Sequence, residues 1–117
     1  MTFDSLRAYC LAKNEVTEET PFGPDVLVFK VAGKLFALTG IDNHPTTVNL
    51  KCDPERAIDL RERYEAVRPG YHMNKTHWNT VVLDGSIADS ELRELIDHSY
   101  ILIVQSLNKA DRERLLS

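Results

Sequence analysis

The sequence lacks the features that several large classes of protein require. No apolar run approaches the roughly 20 residues that span a bilayer, so we expect no membrane association. The first residues include an early acid and no basic segment, unlike a signal peptide, which favours a cytoplasmic location. The 117 residues include only two cysteines, Cys10 and Cys52. Without an export signal we expect both to be reduced, buried thiols.

The patterns that mark catalytic and metal sites are also missing. No Cys-x-x-Cys or His-x-x-x-His pair supports a zinc site, and His72 and His77 lie five residues apart. No Gly-x-Ser-x-Gly element and no glycine loop for phosphate is present. Both cysteines fall on apolar faces of predicted elements, where thiols stay protonated and inert. We therefore expect a non-enzymatic protein with no catalytic residues, no metal and no cofactor.

Length and composition fit one soluble domain. A chain of 117 residues buries roughly two-thirds of its unfolded surface, which is enough for a core without disulfides or metals. Its 43% hydrophobic and 27% charged residues are typical of globular proteins. We expect a single domain over residues 1–117, and a monomer.

Hydrophobic periodicity switches between helical and extended patterns along the chain. Apolar residues recur every three or four positions in the predicted helices and every second position in the predicted strands. The predicted helices cover 3–13, 54–67, 90–107 and 109–116, and the predicted strands cover 16–20, 26–31, 34–39, 46–52 and 76–83. This order favours an α+β fold, with helices packed on one face of a mainly antiparallel sheet. The other face would be partly open, so a ligand could sit there.

Short signals fix several of these boundaries. The dipeptide Ala32-Gly33, between two β-rich runs, predicts a hairpin turn. The pair Asp53-Pro54 predicts a helix start, because the aspartate accepts from free backbone N–H groups and the proline needs no donor at the first helical position. Asn14 is predicted to end the first helix in a left-handed conformation, and Asp89 to cap the long third helix.

One stretch differs from the rest of this acidic chain. From Ala66 to Leu83 there is no Asp or Glu, and Arg68 and Lys75 give that window a charge of +2. The remainder carries −6, because the whole chain has a net charge of −4. The stretch also holds the only tryptophan, Trp78. A polar, aromatic and acid-free stretch suits anions or nucleotide bases.

The candidate contact residues come from this stretch and from a neighbouring strand. Basic side chains would contact phosphates, asparagines would hydrogen-bond to bases or phosphates, and aromatic rings would stack. In the simpler alternative, Trp78 is a core anchor and Tyr71 locks the loop. Asn49 and Lys51 would then form a solvated strand face. The candidate nucleic-acid contacts are Asn49, Lys51, Arg68, His72, Lys75, His77 and Asn79, with Tyr71 and Trp78 as possible stacking residues.

Several segments of the chain match one known signature. They are Pro69–Lys75, His77–Val81, Lys34–Ala37, Asn49–Pro54, Tyr64 with Val67, and Ser99-Tyr100. Together they resemble the MmcQ/YjbR-like family, small bacterial proteins usually labelled DNA-binding. The resemblance implies an α+β fold related to the CyaY/frataxin-like arrangement, with a double-wing DNA-binding surface. The candidate contacts fall at the family's motif positions.

Two functions remain open from the sequence. The resemblance implies that the partner is nucleic acid, namely DNA bound weakly and with little sequence preference. The net charge of −4 lowers the affinity expected for DNA, because many DNA-binding domains are basic. The alternative is a protein- or small-anion-binding module that uses the same face. Salt separates the two functions, since duplex binding weakens with salt in proportion to the phosphates neutralised.

Overall fold

The computed structural model describes residues 1–116, which form four helices and one six-stranded antiparallel sheet. The helices are α1 (Phe3–Leu11), α2 (Pro54–Arg63), α3 (Asp89–Gln105) and α4 (Lys109–Leu116). The strands are β1 (Val16–Glu19), β2 (Val26–Val31), β3 (Lys34–Gly40), β4 (Thr47–Lys51), β5 (Val67–Pro69) and β6 (Trp78–Val82). Their order across the sheet is β1-β2-β3-β4-β6-β5. The predicted α+β fold is confirmed. None of the helices in the described chain is both long and apolar enough to cross a membrane.

The helices cover one face of the sheet. α1 packs beside β1, α3 crosses β2, β3 and β4, and α2 lies beside β5. The inward side chains of the strands alternate as predicted, since Leu27, Phe29 and Val31 of β2 and Val48 and Leu50 of β4 belong to the core. α3 adds the apolar stripe that its 3.6-residue period predicted.

A buried serine joins α3 to the middle of the sheet. Ser99 Oγ donates to the carbonyl oxygen of Phe36 at 2.6 Å and accepts from the backbone N–H of Lys51 at 2.9 Å. The pairing of β3 with β2 skips Phe36, so a bulge turns this residue towards the helices. Its ring meets that of Tyr100 edge-on, with ring centroids 5.4 Å apart. Ser99 thus links α3 to β3 and β4 through two hydrogen bonds at the bulge.

The hairpin and the start of α2 follow the predicted local chemistry. Ala32 and Gly33 have φ angles of 47° and 85° and link β2 to β3 in a two-residue turn. Asp53 accepts a hydrogen bond from the backbone N–H of Arg56 at 3.1 Å, and Pro54 is the first helical residue. Both predictions are confirmed.

Two predictions at helix ends were wrong. α1 ends early, and the residue with left-handed backbone is Glu15 (φ 57°) rather than Asn14. The capping position of α3 is occupied by Ala88, which offers no side-chain hydrogen bond. Asp89 is instead the first helical residue, and its carboxylate pairs with the amino group of Met1 at 2.9 Å. The Asp89 carboxylate therefore forms an ion pair with the amino terminus instead of capping the backbone N–H groups of α3.

The sequence did not predict β5, which forms one edge of the sheet. A helix was expected up to residue 67, whereas α2 ends earlier and Tyr64 is already extended (φ −129°, ψ 123°). Val67, Arg68 and Pro69 pair with β6. An edge strand pairs on one side only, so it tolerates the missing N–H of Pro69. Pairing and the burial of Val67 outweigh the helix propensity of this short segment.

The opposite face of the sheet is left open by the four helices of the described chain. A cross-strand row runs over it from Leu38 through Asn49 and Thr80 to Arg68. These residues alternate with core residues along each strand, so their side chains point away from the helices. The row is flanked by the β1–β2 and β3–β4 loops on one side and by residues 70–77 on the other. This geometry places a groove on the open face.

Candidate ligand-binding groove

An open groove of about 750 Å³ lies on the helix-free face of the sheet. Its floor is formed by Leu38, Thr47, Asn49 and Thr80. One rim carries Phe22, Asp25, Val26, Gly40 and Asn43, and the other carries Arg68, Pro69, Tyr71, His72 and Met73. We call the segment Gly70–His77 the rim loop, because it supplies most of the second rim.

Two hydrogen bonds tie the rim loop to the floor, and a third joins the two floor residues that make them. Asn49 Nδ2 donates to the carbonyl oxygen of Tyr71 at 3.2 Å, and Asn49 Oδ1 accepts from Thr80 Oγ1 at 2.6 Å. The same threonine oxygen accepts from the backbone N–H of Tyr71 at 2.9 Å. Asn49 lies on the predicted face but is only 7% exposed, because the rim loop covers it. The alternative in which Asn49 lies on a solvated strand face is therefore wrong.

The rim loop is also closed by its own groups. Lys75 Nζ donates to the carbonyl oxygen of Gly70 at 3.0 Å, and Asn74 Oδ1 accepts from the backbone N–H of Thr76 at 2.9 Å. A Cβ at Gly70 would lie 2.9 Å from the carbonyl oxygen of Trp78, so glycine is needed for this close approach. Lys75, predicted as a phosphate contact, is an exposed residue whose amine is engaged within the loop.

The far end of the rim loop is held from the helix-covered face. Arg61 of α2 donates through Nε to Asn79 Oδ1 at 2.7 Å and through Nη2 to the carbonyl oxygen of Trp78 at 3.3 Å. Its Nη2 also makes a short hydrogen bond to the carbonyl oxygen of Lys75. Asn79 is 2% exposed and donates to the carbonyl oxygen of Ala57 at 3.5 Å. Contrary to the predicted contact role, Asn79 points away from the groove.

Exposed aromatic rings lie on both rims. Phe22 is 67% exposed on one rim and Tyr71 is 69% exposed on the other. The ring of His72 lies against Tyr71, with ring centroids 4.0 Å apart. His72 has a left-handed backbone (φ 58°), which is uncommon for a residue with a side chain. Tyr71 and His72 were predicted from the sequence, but Phe22 was not; the signal it offered was a large apolar ring in a proline-flanked turn.

Three further candidates do not line the groove. Lys51 pairs across the strands with Trp78, on the same face as the groove floor. Trp78 is partly buried, and in the described part of the chain it does not belong to the core. His77 is exposed, and its carbonyl oxygen accepts from the backbone N–H of Cys52 at 2.8 Å. Of the two alternatives left open for Trp78, the core anchor is therefore wrong.

The groove carries little net charge. Among the described residues that line it, the charged ones are Arg68 and Asp25, and His72 adds a titratable ring. Arg68 is exposed, and its Nε donates to the carbonyl oxygen of Glu65 at 3.5 Å. Within residues 1–116 no cluster of three or more His, Cys, Asp or Glu is arranged to hold a metal ion. A nearly neutral groove favours contacts by shape and stacking over attraction of a polyanion.

The two thiols take no part in the groove. Cys10 and Cys52 are free, buried members of the core. Burial raises the pKa of Cys10 to about 12 and also raises the pKa of Cys52. Both thiols are thus protonated near neutral pH, as the sequence predicted.

Comparison with known proteins identifies the relatives of this chain. It matches the YjbR family model over residues 11–102. It is 39% identical to YjbR of Escherichia coli K12 over 117 residues, covering 99% of this chain and 98% of the relative. It is 42% identical to YbdF of Escherichia coli O157:H7 over 94 residues, covering 80% and 77%.

Solved structures share the fold. The Deinococcus radiodurans protein DR2400 superposes with a TM-score of 0.92 at 41% identity, over 97% of this chain and 87% of that chain. A Pseudomonas syringae protein superposes with a TM-score of 0.76 at 31% identity, over 87% of this chain and 98% of that chain. On the family match and these identities, the chain belongs to the YjbR family.

Proposed function

We propose that this protein is a non-enzymatic binding protein whose groove takes a ligand that combines a flat ring with an anionic group, as a nucleotide does. The observation that carries the proposal is the pair of exposed rings, Phe22 and Tyr71, on opposite rims of a groove that also holds Arg68. Exposed aromatic side chains are the usual platforms on which bases stack.

Size and composition of the groove support this ligand class. Its volume of about 750 Å³ falls inside the range of small-ligand sites. Leu38, Pro69 and Met73 add apolar side chains to the lining of the groove. Base stacking on an aromatic side chain contributes about 1–3 kcal/mol, as measured by alanine substitution. Two such rings are enough for a measurable affinity.

Arg68 supplies the anion contact. A guanidinium is planar and presents parallel N–H groups that match a phosphate or carboxylate. Asp25 lies in the same lining and reduces the positive potential, so the groove suits one phosphate rather than a row of them. This feature separates the proposal from binding dominated by many phosphate contacts.

The floor offers few groups with which to distinguish one base from another. Asn49, Thr80 and the backbone of Tyr71 are hydrogen-bonded to one another. Thr47 Oγ1 accepts from Asn43 Nδ2 at 3.3 Å. Polar groups that satisfy each other have little capacity left for base edges. We therefore expect binding that tolerates all four bases.

A free nucleotide and a single strand of nucleic acid both present this chemistry. A duplex hides the faces of its bases, so it cannot stack on Phe22 and Tyr71 without opening. Lys51, on the same face as the groove floor, would add one phosphate contact for a strand but not for a mononucleotide. The family resemblance implies DNA binding through a double-wing surface. The test below therefore includes duplex DNA.

Fluorescence polarisation provides the test, with labelled oligothymidylate, a duplex of equal length, and thymidine monophosphate as competitor. Because Arg68 and Lys51 would each contact one phosphate of a strand, the slope of log K against log salt should be about −1.4 for the single strand. Phe22→Ala and Tyr71→Ala should each weaken binding by about 5–150-fold. Ile58→Ala, an exposed apolar residue on α2, is the matched control.

The outcomes separate the alternatives. Tighter binding of the duplex with a slope of about −3 or steeper would replace this proposal with duplex binding by several phosphate contacts. No binding of any probe at millimolar concentration would refute a nucleotide-like ligand and favour a protein partner. Equal losses in Tyr71→Ala and Ile58→Ala would remove the groove from consideration.

A further inference from the structure

We infer that Arg61, together with Asn79, positions the rim loop of the groove from the opposite face of the sheet. The inference rests on the proposed function for its role in binding. One guanidinium makes three hydrogen bonds into the segment that ends the rim loop, to Asn79 Oδ1 and to the carbonyl oxygens of Trp78 and Lys75.

These bonds connect directly to the ligand-facing part of the loop. The carbonyl oxygen of Trp78, which Arg61 contacts, also accepts from the backbone N–H of Gly70 at 2.9 Å. The carbonyl oxygen of Lys75 accepts a hydrogen bond from the guanidinium. The side-chain amine of the same residue donates to the carbonyl oxygen of Gly70 and so closes the loop. Tyr71 follows Gly70 and carries the exposed ring of the rim. Release of the guanidinium would therefore free both ends of the loop.

The bonding of Arg61 differs from that of a solvated helix arginine. Its neighbour Arg63 is exposed and pairs with Asp59 at 3.6 Å, one turn away on the same helix. Among the described residues, Arg61 makes no ion pair with a carboxylate and is bound by one amide and two backbone carbonyl oxygens instead. A lysine carries a point charge and cannot hold three acceptors in this fixed plane.

Asn79 orients the guanidinium. Its Oδ1 accepts from Arg61 Nε at 2.7 Å, and its Nδ2 donates to the carbonyl oxygen of Ala57 in the same helix. Both ends of the amide are thus used between β6 and α2. Asn79 therefore supports the rim loop through Arg61 and does not contact the ligand itself.

Two variants and two controls test the inference. In Arg61→Lys and Asn79→Ala, amide hydrogen exchange at Gly70 and Trp78 should quicken at least tenfold, while core amides of α3 keep their wild-type rates. Binding of the oligothymidylate probe should weaken at least fivefold. Arg63→Lys controls for helix charge, and both readouts should stay within twofold of the wild type.

Tyr100→Phe controls for general loss of stability, because it removes the hydrogen bond from Tyr100 Oη to the carbonyl oxygen of Asn14 at 2.8 Å, far from the groove. It should lower the melting temperature without changing exchange in the rim loop or the affinity for the probe. This control separates positioning from a merely structural role.

The results can fail in distinguishable ways. Wild-type exchange rates in the rim loop of both variants would overturn the inference. Faster exchange with an unchanged Kd would overturn the role in binding and leave the proposed function standing. Absence of binding by the wild type would overturn the proposed function and with it any part of Arg61 in binding. If Arg61→Lys does not fold, Asn79→Ala carries the same test.

Discussion

The substitution Thr80→Val probes the hydrogen bonds that hold the rim loop to the sheet. It exchanges the hydroxyl for a methyl group of similar size, so packing changes little. Thr80 Oγ1 donates to Asn49 Oδ1 at 2.6 Å and accepts from the backbone N–H of Tyr71 at 2.9 Å. Both hydrogen bonds are lost together.

The loss of stability in Thr80→Val depends on the polar groups that are left without a hydrogen-bond partner. Asn49 is 7% exposed, so its Oδ1 would be left buried without a partner, which costs about 1–3 kcal/mol. Tyr71 is exposed, and water can replace the partner of its amide at little cost. We expect the free energy of unfolding to fall by about 1–3 kcal/mol, or roughly 3–5 °C in Tm for each kcal/mol in a domain of this size.

Urea unfolding followed by far-UV circular dichroism measures this change, and Trp78 fluorescence reports on the rim loop. Thr17→Val, at an exposed position of β1, is the matched control and should stay within about 0.5 kcal/mol of the wild type. Adding Asn49→Ala to Thr80→Val should cost less than the sum of the two single effects, by more than about 0.5 kcal/mol. A neutral Thr80→Val variant, or strict additivity, would refute the proposed network.

Three further predictions concern other parts of the fold. Gly70→Ala should destabilise the protein by about 1–3 kcal/mol in thermal melts, because its Cβ would lie 2.9 Å from the carbonyl oxygen of Trp78; an unchanged Tm would contradict the close approach. Burial lowers the pKa of His98 below 6.5, and its Nε2 accepts from the backbone N–H of Asp53 at 3.1 Å. As pH falls, His98 is protonated in the unfolded protein before it is protonated in the folded protein. The stability that neutral His98 contributes is therefore present above pH 6.5 and is lost as pH falls from there towards the folded pKa. An NMR titration midpoint of His98 at or above 6.5 would be inconsistent with this. Cys10, with a pKa of about 12, should not react with a disulfide reagent at neutral pH until the protein unfolds, and rapid labelling of native protein would disprove its burial.

The fold was largely predictable because its signals are local and periodic. Alternation in β2 and β4, the hairpin at Ala32 and the start of α2 at Asp53 all depend on residues close in sequence. β5 was not predictable, because three residues at a sheet edge carry no period and depend on pairing with β6. The bulge at Phe36 likewise depends on contacts with α3 rather than on its neighbours in the chain.

The candidate site was predictable only in outline. The sequence directed attention to the rim loop and to Asn49, and both belong to the groove. Strand alternation separates Asn79 from Thr80, so these residues face opposite sides of the sheet and cannot both line one site. The anchoring role of Arg61 had no sequence signal, because its three acceptors lie 14 to 18 positions away.

The most direct test of the groove is an NMR titration of uniformly ¹⁵N-labelled protein with thymidine monophosphate. We predict saturable shifts of the backbone amides of Leu38, Asn49, Tyr71 and Thr80, with those of α1 and α4 unchanged. No shift up to about 5 mM, which corresponds to a binding free energy weaker than about −3 kcal/mol, would contradict a nucleotide-like ligand. Shifts confined to the helix-covered face would contradict the groove as the binding site.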